Sequence, residues 1–180
     1  VFISSSKPQF ELVSQPQIKS VQELKGKIVG ISSRGGSNDL MMQMILQKSG
    51  LIPNKDVTTI IVGAQEETVI ALRTGRIAAA LLTPPRNFIL QRDGFNRIAY
   101  SGDYMSTYAN GGIGVTDEKI KTNPAEVLAL VKGTIKALQY SMQNRAEMLK
   151  IIPPYLGIKD VALAEQLYDL YLTRQSVDGS

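Results

Sequence analysis

A chain of 180 residues, 43% hydrophobic and 20% charged, carries enough apolar material for one generous domain or two small lobes, which excludes disorder as its main state. The formal net charge is +4, but the basic residues are spread along the chain and aromatic residues make up only 6%, so a nucleic-acid-binding groove is not expected. The absence of Cys and His excludes thiol nucleophiles, disulfides, imidazole bases and the commonest transition-metal ligands.

No stretch approaches the roughly 20 consecutive apolar residues that a membrane span needs, and no charged and then apolar leader opens the chain. We therefore expect no direct insertion into a membrane. The chain begins at Val1 without Met, which suggests a removed leader, a trimmed chain or a missing N-terminal portion.

From Gly26 onward, strand-like and helix-like segments alternate, which is typical of an α/β fold built on parallel strands. Before them, Ser20 and Glu23 form a capping-box pattern that predicts a short helix ending at Gly26. The predicted strands are residues 27–31, 57–62, 77–82 and 97–100, and the predicted helices are residues 38–49, 65–74 and 84–92.

Beyond Gly102 a glycine-rich segment, residues 108–115, precedes a tail that is almost entirely helical in pattern. Asn123, Pro124 and Glu126 predict the start of a long amphipathic helix that ends near residue 143. Further helices are expected after Asn144 and over residues 161–173. We expect these helices to pack on a different sheet from that of the preceding α/β lobe.

The most informative segment is GISSRGGSND, residues 30–39, where a strand ends, small residues turn the chain and a helix begins. The first amides of such a helix have no partner in the helix and favour negative charge, so the segment predicts an anion site. Hydroxyl donors and close backbone approach would come from Ser32, Ser33, Gly35, Gly36 and Ser37.

Arg34, in the same segment, offers a bidentate clamp for a carboxylate, sulfonate or phosphate. The alternative is an ordinary turn in which Ser37 caps the helix. Neither a Walker A lysine nor the GxGxxG spacing is present, so the standard modes of nucleotide binding are not expected.

Two further turns from strand to helix follow, and the carboxyl ends of parallel strands meet at one edge of a sheet. Gln65, Thr83 and Asn87 are therefore predicted polar contacts in the same crevice. Glu66 is better explained as an acid that stabilises the helix dipole, and Arg86 as a solvated surface residue. The glycines near residue 111 are interpreted as a hinge or as a simple turn between lobes.

The order of these pieces resembles the sulfonate, nitrate, taurine and thiamine-precursor group of periplasmic solute-binding proteins. The first matching motif introduces the second lobe in that group and comprises Ser20, Glu23, Leu24, Lys25, Gly26, Lys27, Val29 and Gly30. The second motif joins a helix to a strand and comprises Ala71, Leu72, Gly75, Ile77, Ala79 and Ala80. Ala78 or Ala79 stands where the second motif usually has an acid.

This resemblance implies the α/β fold of type II periplasmic binding proteins, with a three-layer α/β/α lobe and a mainly helical C-terminal part that returns to the other lobe. It assigns residues 1–19 to the end of lobe one and a crossover, residues 20–104 to lobe two, and residues 105–180 to the return crossover and lobe one. It also implies that roughly the first third of the usual mature chain is absent. Hinge closure around a ligand would be recognised by a membrane permease.

The same resemblance places the ligand-contacting loop of the second lobe on the serine-rich turn. It adds contacts after the third strand and at the return crossing. The complete set of expected ligand-binding residues is Ser32, Ser33, Arg34, Gly35, Gly36, Ser37, Gln65, Thr83, Pro84, Asn110 and Gly111.

The sequence thus predicts a periplasmic or extracytoplasmic solute-binding protein that captures a small anion, such as a sulfonate, carboxylate or pyrimidine-like molecule, for an ABC importer. Lipid anchorage through an absent N-terminus stays open. No catalytic residue, metal or cofactor is expected. Two alternatives remain: the effector domain of a LysR-type transcription regulator, and an enzyme like the thiamine-pyrimidine synthases, which depend on His and Cys.

Overall fold

The computed structural model describes residues 2–5, 8–106, 108 and 110–172 and divides the chain into two compact units. We call Gln9–Ser106 the sheet unit, and we call Val1–Pro8 with Thr107–Ser180 the helical unit. The strands are β1 (Phe2–Ser5), β2 (Glu11–Ser14), β3 (Ile28–Ile31), β4 (Thr58–Ile61), β5 (Ala79–Leu82), β6 (Asn96–Tyr100) and β7 (Gly111–Ile113). The helices are α1 (Ser37–Lys48), α2 (Gln65–Arg73), α3 (Arg86–Arg92), α4 (Asp117–Thr122), α5 (Pro124–Gln143), α6 (Arg145–Leu156) and α7 (Val161–Leu172).

The sheet unit is built on five strands in the order β4-β3-β5-β2-β6. Strand β3 is parallel to both of its neighbours, β4 and β5, whereas β2 is antiparallel to both β5 and β6. The predicted parallel arrangement is therefore confirmed for β3, β4 and β5, and the complete sheet is mixed.

Helices cover both faces of this sheet. Successive strand residues point to opposite faces, so neighbouring residues of one strand pack against different helices. Leu12 of β2 belongs to a buried cluster with Met42 and Leu46 of α1. Its neighbour Val13 belongs to a second cluster with Leu72 of α2 and Leu90 of α3. The predicted α/β/α layering is confirmed.

Two local predictions need correction, and the segment of β2 carried none. The short helix after Ser20 is a 3₁₀ helix, Gln22–Leu24, although Ser20 does donate a hydrogen bond to Glu23 at 2.8 Å. Helix α3 begins at Arg86 rather than at Pro84, because a residue that precedes a proline is disfavoured in helical conformation. Strand β2 was not predicted at all.

The two compact units divide the chain after Pro8 and after Ser106, whereas the sequence interpretation divides it at residues 20 and 105. The early part of the sheet unit includes β2, whose residues pair with β5 and β6. Since those pairings lie far along the chain, the alternation of local patterns gave no sign of them.

The helical unit contains the two-stranded antiparallel pair of β1 and β7 and helices α4 to α7. Helix α5 starts at the predicted Pro124, but the Asn123 side chain donates to Glu126 at 3.2 Å instead of capping the helix. Helix α4, which was not predicted, is capped by Thr116, whose hydroxyl accepts a hydrogen bond from the amide of Lys119 at 3.1 Å. Among the described helices, none combines the length and the apolar character of a membrane span.

Candidate functional site

The candidate site lies at the edge of the sheet where β3, β4 and β5 end. The loop that follows β3, residues 32–37, is called the serine loop here. Because β2 is antiparallel, its first residue, Glu11, pairs with Leu82 at the end of β5 and lies at the same edge. Loops after parallel strands and the start of β2 therefore meet in one region of the sheet unit.

The serine loop is open to solvent, with every residue exposed except Gly36, which is half-buried. Gly35 has φ +71°, a left-handed conformation in which a side chain is strained. Gly36 has φ −77°, but a Cβ there would lie 2.8 Å from the Ser33 hydroxyl oxygen. Backbone conformation thus favours glycine at position 35, whereas a Cβ at position 36 would require only a rotation of the exposed Ser33 side chain.

Helix α1 begins without a side-chain cap. Its N-cap residue is Gly36, so the alternative in which Ser37 caps the helix is wrong. The first helical hydrogen bond runs from the amide of Leu40 to the carbonyl of Gly36 at 3.0 Å. The amides of Ser37, Asn38 and Asp39 find no acceptor among the residues that the structure describes. These amides carry the positive end of the helix dipole at an exposed loop.

Two buried polar residues that the sequence interpretation missed hold the serine loop. Asn38 accepts a hydrogen bond from the amide of Ser32 at 3.4 Å and donates one to the carbonyl of Leu81 at 3.1 Å. It thereby connects the serine loop to the end of β5. In the sequence, Asn38 is a short amide side chain near the start of a helix, and the sequence interpretation treats it only as part of the turn.

Asp39, the second of these residues, accepts hydrogen bonds from the amide of Gly35 at 2.9 Å and from the side chain of Gln43 at 3.0 Å. Burial by itself raises the pKa of Asp39, but the bonds from Gln43 and Gly35 and the charge of Arg34 outweigh it and hold the pKa below its usual range. Asp39 is therefore ionised at neutral pH, and its hydrogen bond from the amide of Gly35 holds the serine loop in place.

Arg34 is engaged with protein groups. Its guanidinium donates to the carbonyl oxygen of Thr59 at 2.6 Å and lies 4.0 Å from the carboxylate of Asp39. Thr58 and Val62 bond to β3 through their amides, so Thr59, between them, faces the open edge of β4. Arg34 thus covers an edge carbonyl, a role that the sequence did not indicate. Its role as an anion clamp stays a prediction.

Gln65 and Thr83 lie together at this edge, and their role as ligand contacts stays a prediction. The side-chain oxygen of Gln65, the first residue of α2, accepts a hydrogen bond from the amide of Thr83 at 3.2 Å. Pro84 is buried. Arg86 donates a hydrogen bond to Glu66, and this bond lowers the pKa of Glu66. Arg86 is therefore paired with an acid, and Glu66 stands in the first turn of α2, as expected.

Asn110 and Gly111 belong to the helical unit. The amide of Asn110 donates to the carbonyl of Ser5 at 2.9 Å, and Gly111 pairs with Ser5 in the β1–β7 ladder. Their participation in a site with the serine loop stays a prediction.

A buried carboxylate at this edge also escaped the sequence interpretation. Glu11 is 4% exposed and accepts hydrogen bonds from Asn87 at 2.7 Å, from Gln91 at 2.8 Å and from Arg97 at 3.3 Å. Asn87 is fully buried, and its side-chain oxygen has no partner among the described residues. This cluster joins α3 and β6 to the start of β2.

Comparison with protein families and solved structures adds to this geometry. The sequence model of the NMT1-like family matches residues 8–153. No curated protein sequence matches this chain.

Among solved structures, the periplasmic aliphatic sulphonate binding protein SsuA of Escherichia coli matches with a TM-score of 0.75 at 16% identity, over 98% of this chain and 60% of that one. The alkanesulfonate-binding protein SsuA of Xanthomonas axonopodis pv. citri, bound to MOPS, matches with a TM-score of 0.72 at 18% identity, over 98% of this chain and 60% of that one. The periplasmic nitrate-binding protein NrtA of Synechocystis PCC 6803 matches with a TM-score of 0.68 at 17% identity, over 84% of this chain and 44% of that one.

These matches confirm the predicted fold, that of the periplasmic sulfonate- and nitrate-binding proteins. The chain spans 60% of the length of the two SsuA proteins. The fold also occurs in the desulfurization enzyme DszB, with a TM-score of 0.60 at 12% identity over 92% of this chain and 62% of that one. The fold therefore does not by itself separate binding from catalysis.

Proposed function

The chain belongs to the NMT1-like family, and from this premise we propose that it acts as an extracytoplasmic solute-binding protein. In this proposal it captures a small organic anion and delivers it to the permease of an ABC importer. The similarity of fold to proteins named for sulfonate and nitrate binding supports a solute-binding role. No comparison favours the transcription-regulator or the thiamine-pyrimidine-synthase alternative.

The observation that carries the proposal is the uncapped start of α1 at an exposed loop. Unpaired amides and the helix dipole make such an end a binding site for negative oxygen atoms. The hydroxyl groups of Ser33 and Ser37 are exposed beside these amides and are able to donate further hydrogen bonds. An anion docked there would be held mainly by neutral donors.

The charges around this edge favour a singly charged ligand. Arg34 is bonded to Thr59 and Arg86 to Glu66, while Asp39 contributes a negative charge directly beneath the loop. A dianion would experience more repulsion from Asp39 without gaining a free cation. A sulfonate or monocarboxylate fits this balance, and three sulfonate oxygens offer several acceptors to the amides and hydroxyls.

A thermal-shift comparison tests the proposal. Ethanesulfonate should raise the melting temperature of the chain in proportion to its binding, since a ligand that binds only the folded state stabilises it by about 2.7 kcal/mol at a hundred times its Kd. Ethyl methyl sulfone has a similar body without the charge and should leave the melting temperature unchanged. Sodium chloride at equal ionic strength controls for screening. An equal shift with the sulfone would contradict anion capture, and an equal shift with chloride would contradict selection of an organic anion.

A further inference from the structure

A concavity lies at the opposite edge of the sheet unit, where β3 and β5 begin. It encloses about 330 Å³ and is formed by the turn after β2, the residues that enter β3 and the turn from α2 to β5. Strand β3 has four residues and so spans about 13 Å, which separates this amino-end cavity from the serine loop at its other end. The volume is at the lower end of the range of small-molecule sites.

Two cations line the amino-end cavity. Lys27 comes from the entry to β3 and Arg76 from the turn before β5, and both are exposed. Neither forms an ion pair with the residues that the structure describes. The nearby Glu23 is already bonded to Ser20 and to the amide of Lys19, and Lys27 acts on it only through a weak charge interaction.

The rest of the lining combines four apolar residues with two glutamines and two glycines. Ile18 and Ile77 are buried, whereas Ile28 is 42% exposed and lines the open cavity. Gln15 fixes the wall, because its side-chain amide donates to the carbonyls of Leu72 and Ile77. The apolar surface that the cavity offers comes mainly from Ile28 and Ala78, and this surface beside two exposed cations is complementary to an anion with a short apolar body.

We propose that the amino-end cavity binds a small organic monoanion, a carboxylate carried on a short aliphatic chain. The carboxylate lies between Lys27 and Arg76, and the aliphatic chain covers Ile28 and Ala78. This site is separate from the serine loop, so the sheet unit would hold two anion sites at opposite ends of its parallel strands. Binding there is independent of the proposed solute capture.

The test is a titration of the ¹⁵N-labelled chain with hexanoate, observed at the backbone amides. We expect saturable shift changes at Gly26, Gly75 and Ala78, whereas 1-hexanol, which has the same aliphatic body and no charge, should leave these amides unchanged. The double variant Lys27→Ala/Arg76→Ala should bind hexanoate about tenfold more weakly, the combined effect of two exposed charge contacts.

Two controls separate charge from structure. The exchanged pair Lys27→Arg/Arg76→Lys keeps both charges and should retain binding, and Lys136→Ala removes an exposed lysine of α5 and should change nothing. Absence of changes at the three amides, equal changes with 1-hexanol, or unaltered affinity in the double variant would overturn the proposal. The serine-loop amides report separately on solute capture, so failure of either proposal is seen independently of the other.

Discussion

Replacing Glu11 with Ala should lower the free energy of unfolding of the sheet unit by about 2–4 kcal/mol, because a buried carboxylate is removed and the fully buried amide of Asn87 is left without its acceptor. Asn87 would lose the acceptor of its side-chain amide, and Gln91 would lose its acceptor as well. Urea unfolding followed by circular dichroism, with amide exchange of β2 and β6 as a local readout, measures the loss.

Glu66→Ala is the matched control, since it also removes a carboxylate paired with an arginine, but from a side chain that is 61% exposed. Exposed pairs contribute little to stability, so this variant should unfold close to the original chain. Glu11→Gln keeps the size and one acceptor oxygen and should fall between the two. If Glu11→Ala were no more costly than Glu66→Ala, the cluster would have no structural importance.

Replacing Ser37 with Asp should separate stability from binding. An acid in the first turn of α1 interacts favourably with the helix dipole, so the free energy of unfolding should stay the same or rise by up to about 1 kcal/mol. The same charge beside the unpaired amides repels an incoming anion by about 1–4 kcal/mol, which weakens ethanesulfonate binding roughly fivefold or more. Calorimetric titration gives the affinity, and thermal unfolding gives the stability.

Ser37→Asn is the neutral control for this variant because it has nearly the size of Asp and adds no charge. It should leave the affinity for ethanesulfonate close to that of the original chain. An Asp variant that binds as tightly as the Asn variant would mean that the anion lies elsewhere than at the start of α1.

Most of the sheet unit was predictable from the sequence because its signals are local. Gly50 and Gly75 each follow the C-cap residue of α1 and α2, and both adopt positive φ, as a helix-ending glycine does. Strand β2 was missed because a segment of four residues does not differ from a loop until β5 and β6 provide its partners.

The candidate site was predictable only in part. The exposed turn and the uncapped helix follow from small residues between a strand and a helix, which is a local pattern. The engagement of Arg34 depends on the open edge of β4, and the partners of Glu11 are 76, 80 and 86 residues away in sequence. Contacts at such separations have no signature in a single sequence.

The most direct test of the proposed function is an amide titration of the ¹⁵N-labelled chain with ethanesulfonate. If anions dock at the start of α1, the largest and saturable shift changes will appear at the amides of Ser37, Asn38 and Asp39, with smaller changes at Thr83. Ethyl methyl sulfone will leave all four amides unchanged. Shift changes that spare residues 37–39, or that are as large with the sulfone, would contradict the account.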